Sequence, residues 1–132
     1  ITPHIGMKVT DADNQVTTNL EYPVTEQAVS SETSALMRDL LESVVAEGGG
    51  SKAQVEGYRI GGKTATSEKY PRGTGKYISS FIGFAPADDP QIMAFVMIDE
   101  PMGIYYGGTI AAPVVQEVFF NILPYLGIQK EE

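Results

Sequence analysis

The stretch Tyr77-Ile-Ser-Ser-Phe-Ile-Gly-Phe-Ala-Pro-Ala-Asp-Asp-Pro90-Gln-Ile-Met-Ala-Phe-Val-Met-Ile98 decides the fold class. It holds two runs of strand-forming residues, 77–85 and 91–98, separated by Asp88-Asp89-Pro90. Aspartate bonds its own backbone in turns and proline presets φ, so the triplet reads as a tight reversal. Two strands joined this way pair antiparallel. The second run is almost continuously apolar, the pattern of a strand covered on both faces.

Working outward, residues 56–69 contain Tyr58 and Ile60 followed by alternating small and polar residues, which predicts a third strand. Pro71, Gly73 and Gly75 make the connection a loop. Residues 56–99 thus read as a three-strand meander. Helices flank it. Over 31–47, Leu36, Leu40 and Val44 recur at four-residue spacing, with Met37, Leu41 and Val45 beside them. Ser30 or Ser31 caps this helix, Glu32 favours its first turn, and Gly48-Gly49-Gly50 supplies a left-handed stop. Over 111–127, Pro113 suits a first turn, and Val114, Val118, Ile122 and Leu126 form a stripe with Val115 and Phe119 beside it; Pro124 lies near its end. Residues 1–24 read as a peripheral hairpin, with strands at 4–9 and 15–20 around Thr10-Asp11-Ala12-Asp13-Asn14. The expectation is an α+β fold: an antiparallel sheet flanked by helices.

Composition narrows the function. The chain has 132 residues, 9 Lys plus Arg against 17 Asp plus Glu, and a net charge of −8. Nucleic acid is not the expected partner, because duplex binding needs a basic face. The absence of cysteine excludes disulfides, thiolate nucleophiles and cysteine-ligated zinc, and one histidine, His4, excludes a multi-histidine metal site within the sequence. The sequence has no apolar run near the roughly 18 residues that span a bilayer. It starts at Ile1 rather than Met, and is read as a piece of a longer polypeptide.

Lys63 carries two readings. Gly57-Tyr58-Arg59-Ile60-Gly61-Gly62-Lys63-Thr64 fits the phosphate-loop pattern G-x-x-x-x-G-K-[ST]. That pattern works only when it follows a buried strand and opens a helix, whose N-terminal amides hold phosphate. Ser51 to Glu56 is no buried strand, and Pro71, Gly73 and Gly75 leave no room for a long helix after Lys63. The P-loop NTPase reading is therefore the remote alternative.

In the second reading, Lys63-Thr64-Ala65 lies on a strand along an active site, and resembles the K-T-G element of penicillin-binding proteins and serine β-lactamases. Further segments resemble class B penicillin-binding proteins of the Gram-positive sporulation and division type: Thr2-Pro3-His4-Ile5, Met37 to Val45, Tyr77 to Pro90, Ile98-Asp99-Glu100-Pro101, and Tyr105 to Val114. The resemblance covers nearly the whole chain in order. It implies the C-terminal portion of a transpeptidase domain, a partial β-lactamase/transpeptidase-like fold, without a cofactor or a metal.

In that family an S-x-x-K serine is the nucleophile and an S-x-N element stands beside it. Neither pattern occurs in this sequence, so the resemblance implies that both lie upstream. It makes Lys63 the lysine that supplies positive charge and helps proton transfer. Thr64 becomes the hydroxyl that binds the carboxylate of a D-alanyl-D-alanine stem peptide or a β-lactam. Thr66 becomes the residue whose backbone N–H completes the oxyanion hole. Ala65 departs from the usual glycine, which leaves the strand edge bare for substrate. On pattern alone, Lys63 is also a solvated strand lysine and Thr64 an ordinary strand former.

The implied parent is a serine D,D-transpeptidase that crosslinks peptidoglycan at the extracytoplasmic face of the bacterial membrane, anchored by a segment outside this chain. This stretch alone is expected to be inactive. A non-catalytic β-lactam-sensing or cell-wall-binding domain of the same fold is the alternative. His4, Asp99, Glu100, Tyr105 and Tyr106 read as structural residues. Lys69, Arg72 and Lys76 form a basic loop. The expected partners are the upstream part of the same polypeptide or, through the bare 91–99 edge, a second copy.

Overall fold

Turn residues divide the chain in the computed structural model, which describes residues 4–24 and 27–131. There are two units, Ile1–Ser31 and Glu32–Glu132.

In the first unit, β1 (Lys8–Thr10) pairs antiparallel with β2 (Val16–Asn19). Asp11 makes the turn: one carboxylate oxygen accepts from the N–H groups of Asp13 at 3.0 Å and Gln15 at 2.9 Å. Asn14 takes φ 61°, the left-handed conformation asparagine tolerates. A bulge between Val9 and Thr10 breaks the register. The strands are shorter than the pattern over 4–9 and 15–20 predicts. His4 instead stacks on Tyr22, with ring centroids 4.0 Å apart. Of the segment Thr2-Pro3-His4-Ile5, the first two residues lie outside the described residues.

The second unit is built on a sheet of order β3-β4-β5, comprising Gly61–Glu68, Tyr77–Ala85 and Ile92–Asp99, with both pairings antiparallel. β3 starts five residues later than predicted. Tyr58 N–H bonds Val55 O at 3.1 Å, and Gly57 takes φ 80°, so 55–58 is a turn that no strand could continue through.

One face of the sheet carries Phe81, Gly83 and Ala85 of β4, with Ala94, Val96 and Ile98 of β5. Helix α3 (Ala112–Tyr125) buries Val115, Phe119 and Leu123 in the same core. The predicted stripe is Val114, Val118, Ile122 and Leu126 with Val115 and Phe119 beside it, yet Val114, Val118 and Leu126 are exposed and the flanking pair is buried. The helix is apolar nearly all round, so periodicity cannot choose the buried face. Packing chooses it: a Cβ on Gly83 would lie 3.0 Å from Val115 Cγ1 and 3.1 Å from Phe119 Cε2. Truncating fully buried Phe119 to alanine is expected to cost about 3–5 kcal/mol.

Helix α1 (Ser31–Ala46) buries Val45, while Leu36, Met37 and Leu40 remain exposed, so the predicted stripe is only partly covered. Gly48-Gly49-Gly50 ends α1, but not in the left-handed conformation: Gly50 has φ −94° and ψ 3°. Its N–H bonds Val44 O at 3.0 Å, and a 3-10 turn at Ser51–Ala53 follows directly. A short helix α2 (Gly107–Ile110) leads into α3. No helix among the described residues is long and apolar enough to cross a membrane.

The opposite sheet face corrects another expectation. β5 alternates, and Met93, Phe95 and Met97 are 66%, 59% and 59% exposed. The apolar run is covered on one face only by the described residues. Burial on both faces would need a second layer.

Candidate active site

Strand β3 reads Gly-Gly-Lys-Thr-Ala-Thr-Ser-Glu and, among the described residues, pairs on one side only, with β4. The ladder fixes which backbone groups are left over. Lys69 N–H donates to Lys76 O at 2.8 Å, extending the β3–β4 register by one pair. Antiparallel pairs alternate between bonded and non-bonded. The bonded set is therefore Ser67↔Ile78, Ala65↔Ser80 and Lys63↔Ile82. Thr64 and Thr66 consequently turn their N–H and C=O groups outward, away from β4. Lys63 reaches the same edge: its Nζ donates to Thr64 O at 2.7 Å.

Side chains alternate across the strand. Thr64 and Thr66 face α2. Thr66 Oγ1 accepts from Gly107 N–H at 3.1 Å. Thr64 is half-buried and turns its methyl carbon toward Gly108. Lys63 and Ala65 point to the open face. The Ala65 methyl therefore projects beside the lysine stem and not against a neighbouring strand. The structure thus brings Lys63, Thr64 and Thr66 to one sheet edge. Lys63-Thr64 sits within a strand, with no helix opening after it, which removes the geometry a phosphate loop needs.

Behind the strand, Ser79 is directly opposite Thr66 and fully buried. Its hydroxyl donates a hydrogen bond to Tyr105 O. Tyr105 stacks on Tyr77 at 4.1 Å between centroids, and Tyr106 tilts against Tyr105 at 4.7 Å. A hydrogen bond with Tyr105, then its charge, holds the Tyr106 phenol above the usual range.

The basic loop is largely neutralised. Lys69 Nζ lies 2.9 Å from Asp99 Oδ1 and 2.8 Å from Glu100 Oε1, and Lys76 Nζ lies 3.0 Å from Glu100 Oε2. Of the three basic residues, Arg72 alone stays outside these pairs. Hydrogen bonds that it donates to Glu100 and then to Asp99 raise the Lys69 ammonium above its ordinary value. Hydrogen bonds from Lys69 and then Lys76 lower the Glu100 carboxyl. Asp99 and Glu100 thus serve as surface partners tying the β3–β4 loop to the end of β5.

Two features escape the sequence reading. Arg59 grips Glu42 of α1 through two bonds, Nε–Oε1 at 2.7 Å and Nη2–Oε2 at 2.6 Å. That fork fixes the lead into β3, and the Glu42 hydrogen bond raises the guanidinium further above its ordinary value. The other is the Gly107-Gly108 contact. A Cβ on Gly107 would collide with the carbonyl oxygens of Ala65 and Ser80, and one on Gly108 with Gly49 O. Adjacent glycines before an apolar helix were the available signal for such a close approach.

Comparison with known proteins identifies the family. The family described as penicillin binding protein transpeptidase domain matches residues 1–119. The chain is 47% identical to stage V sporulation protein D of Bacillus subtilis, over 97% of this chain and 21% of that protein. It is 39% identical to the probable peptidoglycan D,D-transpeptidase PenA of Neisseria flavescens, over 80% of this chain and 28% of the other. The apo transpeptidase domain of Burkholderia pseudomallei penicillin-binding protein 3 superposes with a TM-score of 0.73 at 36% identity, over 89% of this chain and 37% of that one. The chain therefore spans less than a third of the two curated relatives. With the family matched across nearly all of its length, and a three-strand antiparallel sheet whose K-T-x strand lies at the free edge, the chain belongs to the penicillin-binding protein transpeptidase domain family.

Proposed function

We propose that this chain is the C-terminal part of the catalytic domain of a serine-type peptidoglycan D,D-transpeptidase. It supplies the wall of the active site against which the stem peptide lies. The nucleophilic serine belongs to the upstream part of the same polypeptide. The observation that carries the reading is the outward backbone of Thr64 and Thr66 on an unpaired edge that also holds the Lys63 ammonium.

An extended D-alanyl-D-alanine terminus, or the ring of a β-lactam, adds along this edge as a further strand would. The Thr64 hydroxyl binds its carboxylate, and Lys63 supplies positive charge to the site and helps proton transfer. Thr64 has no side-chain hydrogen-bond partner among the described residues, so its hydroxyl is available. Serine Oγ bonds to the carbonyl carbon while Thr66 N–H stabilises the oxyanion. The C–N bond then breaks, and the leaving amine takes the proton. In transpeptidation the amine of a second stem displaces the serine and forms the crosslink. The site lies at the extracytoplasmic face of the bacterial membrane, where peptidoglycan is built.

Labelling with a fluorescent penicillin followed by denaturing electrophoresis tests the proposal. The full-length protein is expected to give a stable band and the 132-residue chain none. A band on the short chain would place the nucleophile within it. An unlabelled, folded full-length protein would remove the acyl-enzyme reading.

A further inference from the structure

The geometry points to Thr66 and Ser79 as a pair of positioning residues that clamp the backbone of Tyr105–Gly107 and so set the direction in which Thr66 N–H leaves the edge of β3. The inference rests on the function proposed above.

Thr66 and Ser79 face each other across the β3–β4 ladder. Their hydroxyls take opposite roles toward one short segment. Thr66 Oγ1 accepts from Gly107 N–H at 3.1 Å, while Ser79 Oγ donates to the carbonyl of Tyr105. The two bonds bracket Tyr106 and hold both of its flanking backbone groups. At Gly107 the segment sits directly on strand backbone, since a Cβ there would overlap Ala65 O and Ser80 O. Ser79 is fully buried, so it cannot touch a ligand lying on the outer edge. A buried hydroxyl left without a partner is costly, so satisfying Ser79 and holding the segment are one requirement.

Among the described residues, β3 has no strand on its outer side to fix it. The contact with Tyr105–Gly107 supplies that restraint from behind, at the residue pair where the proposed oxyanion donor sits. An oxyanion donor acts only when aimed at the position the charge will occupy, so a small rotation of the strand reduces rate more than affinity.

The test uses the full-length protein and separates the acylation rate constant from the preceding binding constant for a fluorescent penicillin. Ser79→Ala and Thr66→Val are expected to lower the rate constant by about 10- to 100-fold, with binding changed less than about threefold. Thr66→Ser, which keeps the hydroxyl, should restore most of the rate, and covers the case in which the valine variant fails to fold. Lys63→Ala serves as the independent check on the site. If Lys63→Ala slows acylation while Ser79→Ala and Thr66→Val acylate normally, the positioning role is overturned and the proposed function stands. A loss confined to binding in Thr66→Val, with Ser79→Ala normal, would make Thr66 a direct ligand contact and also overturn the clamp. Normal acylation by Lys63→Ala would remove the proposed site itself.

Discussion

Among the described residues, the sheet of the second unit has two edges without a partner strand, and they are built from opposite materials. The β3 edge is Gly61-Gly62-Lys63-Thr64-Ala65-Thr66: small, hydroxylated, carrying one cation, and restrained from behind by Gly107. The β5 edge is apolar. By the same alternation that frees Thr64 and Thr66, Met93, Phe95 and Met97 turn their backbone groups off the sheet, and their side chains are exposed as well. The first edge suits a transient guest with a polar backbone. The second is the kind that natural proteins cover, because an apolar, unpaired strand templates association. Openness at a sheet edge therefore means two different things here, and side-chain chemistry separates them.

The largest expected effect lies on the β3 edge. In the full-length protein, Lys63→Ala should slow penicillin acylation by about 10²–10³, the size of losing one preorganised electrostatic contact at a transition state. Stopped-flow acylation would check it, and an unchanged rate would make the two edges alike in lacking a catalytic role.

Next comes the β5 edge. The isolated chain should self-associate through 91–99, and light scattering should show Met93→Lys shifting it toward monomer. Proline sharpens the comparison. Met97→Pro removes an N–H that points off the edge and should also favour monomer. Val96→Pro removes a ladder bond to Phe81 and should instead lower stability by about 3 kcal/mol or more. Equal behaviour of the two proline variants would refute the register argument.

Ala65→Gly should change acylation by less than about threefold, because the methyl lies on the open face. A large loss would mean that the side chain meets the ligand.

The smallest effect concerns the tie between the edges, where Lys69 at the end of β3 meets Asp99 and Glu100 at the end of β5. Glu100 is lowered on folding, so its stabilisation is full above the ordinary glutamate value of about 4.3 and is lost as pH falls through the folded value. Lys69 is raised, so its contribution is full below the ordinary lysine value and is lost only as pH rises through the folded one. Melting curves below pH 5 should therefore fall less steeply for Glu100→Gln than for the unaltered chain. Because Asp99 and Glu100 are exposed, added salt should shrink the difference.

Much of this sheet is legible in the sequence because its information is local. Asp88-Asp89-Pro90 and the Pro71–Gly75 loop set reversals between neighbouring strands, and a meander requires nothing more distant. The helix faces are less legible. Leu36 and Leu40 repeat correctly but lie exposed, and α3 buries the row beside the predicted one, since periodicity says that a stripe exists and not which neighbour meets it. The start of β3 was hidden by Gly57, whose positive φ no alternation pattern reveals. For the candidate site, the Lys63-Thr64-Ala65 motif is visible in one dimension. The contacts of Thr66 with Gly107 and of Ser79 with Tyr105 join residues far apart in sequence, and depend on a register that only the folded ladder defines.

The backbone-on-backbone seat of Gly107 and Gly108 limits how this protein can vary. Behind β3 neither glycine has space for an added side chain, so a substitution at either acts as a displacement of the strand and is felt along its whole length. In front, Lys63, Ala65 and Ser67 stand on an open face, where a change of size leaves the position of the strand alone. Gradual adjustment to a new ligand therefore has room on one side of the strand, and the other side tolerates little change of any kind.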